Sequence, residues 1–152
     1  METISDFEDM LALLEAHEAR YLIIGGLAVI YHAKPRYTKD MDLLVDPADE
    51  NVERVNRALA EFGSPYYLAL NDPEQILQIG VAPDRIDILA RIDGVSFDEA
   101  WERRIRDRYG GVTANWIDID ALIRAKQCLD GPRHAEDVRV LLQVKELRRQ
   151  RG

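Results

Sequence analysis

The chain has 152 residues, a length that is typical of one domain. Its composition, 47% hydrophobic and 32% charged, supplies a buried core and excludes a disordered segment. No stretch approaches the roughly 18 consecutive apolar residues of a membrane span, and the N-terminus lacks the apolar centre of a signal peptide. Cys128 is the single cysteine, which excludes an intramolecular disulfide and a Cys-rich zinc site. We therefore expect a soluble, cytoplasmic protein with no membrane partner.

The charge is unevenly distributed around the net value of −8. Residues 1–100 carry 8 Lys and Arg against 20 Asp and Glu, whereas residues 101–152 carry 12 against 8. The acidic first part argues against broad, sequence-independent binding to nucleic acid, which depends on neutralising phosphates with basic side chains. It suits a protein that gathers carboxylates around metal ions. The alternative is an ordinary solvated surface.

Apolar spacing and turn residues define the elements of the first half. Ser5 and Glu8 form a possible capping box for the first helix, and Asp46 with Pro47 supplies an N-cap and a first-turn proline for a later one. The predicted elements are a helix over about 5–19, a strand over 21–24, a short helix over 27–33, a strand over 40–45 and a helix that ends at Gly63.

The second half predicts more strands and two closing helices. We expect strands over 66–70, 77–81, 85–89 and 112–117, a helix from the Ser96 cap to about 108, and helices over about 119–130 and 134–149. This mixture gives an α/β (α+β) fold in which helices flank a mixed sheet. We predict a single domain over 1–152, with the helices of about 119–149 packed on it.

Three aspartates on two predicted strands carry the chemistry. Asp40 and Asp42 are two residues apart on one strand, so both point to the same face about 7 Å apart. Asp87 lies between Ile86 and Ile88, whose side chains face the opposite, buried side. If the two strands are neighbours, three carboxylates share one surface and suit two Mg²⁺ ions for in-line phosphoryl transfer. The alternative is that each aspartate is the solvated half of an amphipathic strand.

A diglycine precedes these acids. Gly25 and Gly26 follow the apolar strand over 21–24 and come before a short helix. Glycine lets the backbone approach a ligand closely, and the amides at a helix N-terminus bind anions such as phosphate. Many strand-to-helix turns contain glycine for conformational reasons alone. The order of strand, diglycine, short helix, Asp-x-Asp strand and a later strand with one aspartate is more specific than any single part.

This order resembles the nucleotidyltransferase superfamily, which includes the DNA polymerase β-like and minimal nucleotidyltransferases. Residues 24–44, IGGLAVIYHAKPRYTKDMDLL, look like a small branch of this superfamily that is related to abortive-infection and toxin–antitoxin nucleotidyltransferases. Residues 120–137 look like the second block of that branch, with Lys126, Arg133 and Asp137. The resemblance spans about residues 20–142.

The resemblance implies a role for each matching residue. Asp40 and Asp42 would bind two Mg²⁺ ions, and Asp87 would complete the metal shell and accept a proton. Backbone amides at Gly25 and Gly26 would hold the phosphates of an NTP. The remaining implied phosphate contacts are Arg36, Thr38 and Lys126; the alternatives are a solvated loop arginine, strand-edge packing and a surface lysine whose stem lies on apolar neighbours.

Two further matching residues have competing interpretations. Asp137 is either catalytic or placed to interact with a helix dipole. His32 is expected to pack the short helix against the sheet rather than to perform acid–base work.

The implied activity is Mg²⁺-dependent transfer of a nucleoside monophosphate from an NTP, ATP being the first expectation, to a protein or tRNA acceptor. The basic segment over 145–151 is the natural tRNA contact; its alternative is a solvated helix end. A cognate toxin or antitoxin, or a homodimer, is an expected partner. Two other functions stay open: transfer to a small molecule such as an antibiotic, and a catalytically silent binding module or antitoxin scaffold.

Overall fold

The computed structural model describes residues 3–35, 38, 40–81 and 83–152. Within them the chain forms six helices and six strands. In chain order these are α1 (Ser5–Ala16), β1 (Tyr21–Ile24), α2 (Gly25–His32), β2 (Asp40–Val45), α3 (Asp49–Phe62), β3 (Ile76–Ile79), β4 (Arg85–Leu89), α4 (Phe97–Glu102), β5 (Ile105–Tyr109), β6 (Val112–Trp116), α5 (Ile119–Gln127) and α6 (Pro132–Arg151). Among the described residues, no helix combines the length and apolarity that crossing a membrane requires.

All six strands form one mixed sheet, in the order β3-β4-β2-β1-β6-β5. The central strand β2 pairs antiparallel with β1 and parallel with β4, and this register places Asp42 directly beside Asp87. The outer pairs β3–β4 and β5–β6 are antiparallel, while β1 pairs parallel with β6. The predicted α/β class with a mixed sheet is confirmed.

Two apolar cores cover the two faces of the sheet. On one face, α1 and α3 pack against alternating residues such as Met41 and Leu43 of β2 and Trp116 of β6. On the other face, α2, α5 and α6 pack near Leu22, Ile24 and Leu44. Because side chains alternate along a strand, Asp40 and Asp42 point to the same face as Leu44. The acids therefore lie on the face covered by α2, α5 and α6.

The strand expected over 66–70 is absent, because local side chains satisfy its backbone. The side-chain amide of Asn56 donates to the carbonyl of Leu68 and accepts from its N–H, at 3.0 and 2.8 Å. Ser64 and Gln75 bind the backbone of Tyr66 and Ala69 in the same way. These contacts replace the ladder of a sheet. The next strand, expected over 77–81, forms one residue earlier, at Ile76–Ile79.

The helix expected from Ser96 to about 108 ends early, and a strand takes its second part. Ser96 caps α4 as predicted, since its side chain accepts from the N–H of Glu99, but α4 ends at Glu102. Residues Ile105–Tyr109 form β5, which pairs with β6 across Gly110 and Gly111. The hairpin with β6 supplies backbone hydrogen bonds that outweigh the local helical preference of the segment.

Two helix starts and the cap of α1 differ from the sequence-based expectations, and α1 ends at Ala16, three residues before its expected end. The N-cap of α1 is Ile4, and Glu8 binds the N–H of Gly111 instead of closing a capping box. Helix α2 begins at Gly25, so the diglycine is its first turn. Helix α3 begins at Asp49 rather than after Asp46. The expected ends of α5 and α6 agree with the structure to within three residues.

Candidate active site

Asp40, Asp42 and Asp87 meet on one face of the sheet. The parallel pairing of β2 and β4 aligns Asp42 with Asp87, and Asp40 lies one pleat away on the same side. One oxygen of each carboxylate lies within 4.8 Å of the others. The predicted proximity of the three acids is thus confirmed, while the roles assigned to them stay predictions.

Helix α2 begins against this cluster. Gly25 has φ +67°, a left-handed conformation that side chains rarely adopt. A Cβ atom built on Gly25 would lie only 3.0 Å from Cγ of Asp42, so it would overlap the Asp42 carboxylate. Gly25 is therefore required both by its backbone conformation and by the closeness of Asp42. Gly26 is buried behind it.

The crowded carboxylates have perturbed pKa values. The pKa of Asp42 rises from its usual 3.8 to about 7, mainly through burial and then through the negative charges of Asp40 and Asp87. Burial is also the main cause of the raised pKa of Asp87, followed by its hydrogen bond with Asp40. A cation placed among the three oxygens would relieve both the burial cost and the repulsion.

Arg85 supplies one positive charge to the cluster. It lies on β4 two residues before Asp87, and its Nη2 donates to Asp40 Oδ2 at 2.8 Å and to Asp87 Oδ2 at 3.2 Å. Arg85 is not among the site residues that the sequence predicts. Its signal was present, because the Arg-x-Asp spacing on a strand places both side chains on one face.

The acids fit a divalent metal. Their oxygens are the hard ligands that Mg²⁺ prefers, and three carboxylates within 4.8 Å of one another exceed what one arginine neutralises. Asp87 Oδ1 is buried and has no hydrogen-bond partner among the described residues; Arg85 Nε lies 3.1 Å away but is not aligned as a donor. An oxygen without a hydrogen bond is a candidate ligand for a cation, which would compete there with the charge of Arg85.

A cavity of about 490 Å³ opens over the acids. Its lining includes the three aspartates and Gly25 together with the apolar side chains of Ile76, Leu89, Ile92, Leu122 and Leu129. Further polar residues line it: Glu74, Gln78, Arg91, Asp93, Lys126, Cys128 and His134. A cleft that combines a carboxylate cluster with apolar side chains suits a metal-bound phosphate chain joined to a flat, apolar group.

Lys126 lies in this cleft and forms a buried ion pair. Its Nζ is 3.2 Å from Oδ2 of Asp137 on α6, and the two side chains are 6% and 5% exposed. The Nζ also lies 3.3 Å from Nδ1 of His134. The surface-lysine alternative is therefore wrong. Asp137 holds Lys126 at the cleft wall. The positive charge of Lys126 lowers the pKa of Asp42 and so opposes the increase that the burial of Asp42 causes.

We predict that Asp137→Ala destabilises the fold by about 3–5 kcal/mol, because it leaves the Lys126 ammonium buried without its carboxylate. The double variant Lys126→Met/Asp137→Leu removes both charges and should recover at least half of the loss. Urea denaturation of the three proteins measures both effects. A single variant as stable as the unmodified protein would contradict the prediction.

The other matching residues lie outside the cleft lining or outside the described residues. Thr38 donates its hydroxyl to the carbonyl of Asp40 at 3.2 Å, which supports the start of β2. Arg36 lies outside the described residues. His32 is buried, with Nε2 2.7 Å from the carbonyl of Ile117, and burial lowers its pKa. The expectation that His32 packs α2 against the sheet is confirmed.

The architecture is that of solved nucleotidyltransferases. ANT(2″)-Ia in complex with adenylyl-2″-tobramycin has a TM-score of 0.58 at 15% identity, covering 95% of this chain and 93% of that one. Lincomycin-bound LnuA, a lincosamide antibiotic adenylyltransferase, has a TM-score of 0.61 at 15% identity, covering 95% and 99%. A candidate nucleotidyltransferase from Thermotoga maritima has a TM-score of 0.60 at 14% identity, covering 90% of each chain.

These likenesses identify the fold. No family model and no curated protein matches the sequence. The chain has the nucleotidyltransferase fold, as the resemblance in its sequence implied, with a three-aspartate cluster in its cleft. The toxin–antitoxin branch stays a prediction.

Proposed function

We propose that the chain is a metal-dependent nucleotidyltransferase that transfers a nucleoside monophosphate from an NTP, ATP first among them, to a hydroxyl-bearing acceptor. The observation that carries this proposal is the meeting of three carboxylates with the first turn of α2 in one cleft of a nucleotidyltransferase fold. Phosphoryl transfer needs positioning and charge neutralisation above all, and this cleft is arranged for both.

The chain's own residues divide the work. Asp40, Asp42 and Asp87 would hold Mg²⁺, which when bound neutralises charge on the triphosphate. The free amides at the start of α2 would bind phosphate oxygens. The acceptor oxygen forms a bond to the α-phosphorus, the bond to pyrophosphate breaks, and the acceptor proton passes to a carboxylate, for which Asp87 is the proposed base.

The proposed acceptor is a protein or a tRNA. The cleft opens at the edge strand β3, where Ile76 is 62% exposed, and Leu129 in the cleft lining is 51% exposed. Exposed apolar side chains beside a cleft are typical of docking surfaces for macromolecules. The basic end of α6 is partly neutralised, since Arg149 pairs with Glu146 and Lys145 with Asp120, which favours protein over tRNA. A cognate toxin or antitoxin remains an expected partner.

A small-molecule acceptor is the second candidate. Two of the similar structures hold an antibiotic or its adenylyl product. The apolar side chains in the cavity lining offer contacts for such a molecule. In contrast to both enzymatic functions, a silent binding module would have the fold without transfer.

The experiment that tests the proposal uses α-labelled NTPs with the purified protein and Mg²⁺. One arm adds a cell lysate, and its labelled products are afterwards treated with protease or ribonuclease. The other arm adds a panel of aminoglycosides and lincosamides. We expect label in a protease-sensitive product, with release of pyrophosphate. A ribonuclease-sensitive product identifies RNA, and label in an antibiotic identifies the second candidate. No transferred label in any arm would contradict the enzymatic proposal.

We predict that Gly25→Ala reduces this transfer by about a hundredfold, because the added Cβ displaces Asp42. The matched control is Gly63→Ala, at φ +89° with no atom within 4 Å of the added Cβ. Both variants carry backbone strain of about 1–2 kcal/mol, but only the first touches the site. Initial rates and thermal melts of both variants check this; an equal loss of rate in the two would refute it.

A further inference from the structure

Arg85 occupies the carboxylate oxygens that the proposed metal would need. Asp40 and Arg85 are paired residues on adjacent strands, so the guanidinium reaches across the strand boundary. Its nitrogens lie 2.8 Å from Asp40 Oδ2 and 3.1 Å from Asp87 Oδ1. A divalent ion bound to these two aspartates would meet a positive charge at the same oxygens.

The guanidinium is held only by these carboxylates in the contacts that the described residues show, and its side chain is 37% exposed. Partial exposure means that solvent can take over its hydrogen bonds when it moves away. Arginine is also suited to phosphate, which it binds through the same planar set of donors. A metal that binds Asp40 and Asp87 displaces the Arg85 guanidinium from them. This displacement costs less free energy when a triphosphate enters with the metal, because the phosphates offer the guanidinium new hydrogen-bond acceptors.

We propose that Arg85 is a competing counter-ion of the metal site: it holds Asp40 and Asp87 in the metal-free protein and makes metal binding depend on the arrival of nucleotide. This inference rests on the proposed function for its nucleotide part. It assigns Arg85 a positioning role, because it acts through the two aspartates. The consequence is that metal alone binds weakly, although three carboxylates are in place.

The test measures the affinity of the purified full chain for Mn²⁺ alone by the loss of the free-ion EPR signal; ATP is left out of this titration because it chelates Mn²⁺ itself. Arg85→Gln should bind Mn²⁺ alone about five- to tenfold more tightly, because it removes the competing charge. Arg85→Lys retains the charge but has fewer donors, so its affinity for Mn²⁺ should lie between those of the unmodified protein and Arg85→Gln. The matched control is Arg91→Gln, which removes a positive charge from the same cleft where Arg91 pairs with Glu74; its affinity should stay unchanged.

A merely structural arginine would give the opposite result, since its loss would disorder the acids and weaken Mn²⁺ binding. Equal or weaker affinity in Arg85→Gln and Arg85→Lys, an equal gain in Arg91→Gln, or no Mn²⁺ binding by any of the proteins would each overturn the inference. Tighter Mn²⁺ binding in Arg85→Gln without nucleotidyl transfer in any assay would support the counter-ion role and refute the proposed function. Nucleotidyl transfer by the unmodified protein, with no tighter Mn²⁺ binding in the Arg85 variants, would support the proposed function and refute the counter-ion role.

Discussion

Replacing Asp42 with asparagine is expected to lower nucleotidyl transfer by about a thousandfold, because the transition state loses a charged ligand to its metal at the point where phosphate charge develops. The same change should make the metal-free protein more stable. Asparagine has the shape of aspartate, so the cleft keeps its form, while the repulsion with Asp40 and Asp87 is reduced.

The stability effect has a defined dependence on pH. The pKa of Asp42 is about 7 in the folded chain against a usual 3.8. Between these two pH values the folded protein therefore keeps a proton on Asp42 that the unfolded chain has lost. The contribution of Asp42 to the stability of the metal-free protein therefore falls as the pH rises from about 4 to 7 and is recovered on acidification. Asp42→Asn removes this loss, and at pH 8 it should be more stable than the unmodified protein by about 1–3 kcal/mol. At pH 4 the two should be nearly equal.

The matched control is Asp93→Asn, which removes one carboxylate from the lining of the same cleft but outside the cluster. It should leave both transfer and the pH profile of stability unchanged. Initial rates at saturating Mg²⁺ and urea melts at several pH values in EDTA provide the two readouts. Unchanged turnover in Asp42→Asn would remove Asp42 from the proposed metal site.

The acidic cluster was predictable because its signals are local. The spacing of Asp40 and Asp42 fixes a shared face, and the apolar flanks of Asp87 fix its direction. One assumption remained, that β2 and β4 are neighbours, and their parallel pairing fulfils it. The ion pair of Lys126 with Asp137 had no such signal, because it depends on the packing of α5 against α6.

The errors in the fold have a common physical origin. The segment over 66–70 has apolar residues at strand-like spacing, yet Asn56 on the preceding helix α3 satisfies the backbone of Leu68. Residues 105–109 follow a capped helix without a strong stop signal, yet they pair with β6 through a hairpin. In both places tertiary hydrogen bonds outweigh local preference, and a single sequence does not contain the partner's position.

Mg²⁺ and NTP are expected to stabilise the chain only when they are added together. Without the cation, a triphosphate meets Asp40, Asp42 and Asp87, and the opposing positive charges of Lys126 and Arg85 are already engaged by carboxylates. Repulsion then exceeds the attraction of the amides at the start of α2. Without the nucleotide, Mg²⁺ must displace Arg85 with no phosphate to receive it. When both are added, a metal held by the three aspartates would neutralise the triphosphate, and the repulsion would be removed.

The expected size of the shift follows from mass action. At about 100 times the dissociation constant, ligand binding adds roughly 2.7 kcal/mol to stability. For a chain of this length that corresponds to a rise in melting temperature of about 5–10 °C. Thermal melts in EDTA, in Mg²⁺ alone, in ATP alone and in Mg²⁺ with ATP measure this shift, and they are repeated with CTP, GTP and UTP. The matched control is AMP with Mg²⁺, because AMP lacks the β- and γ-phosphates. A silent binding module predicts no such synergy, so a flat response to every nucleotide in Mg²⁺ would favour that function over the enzyme.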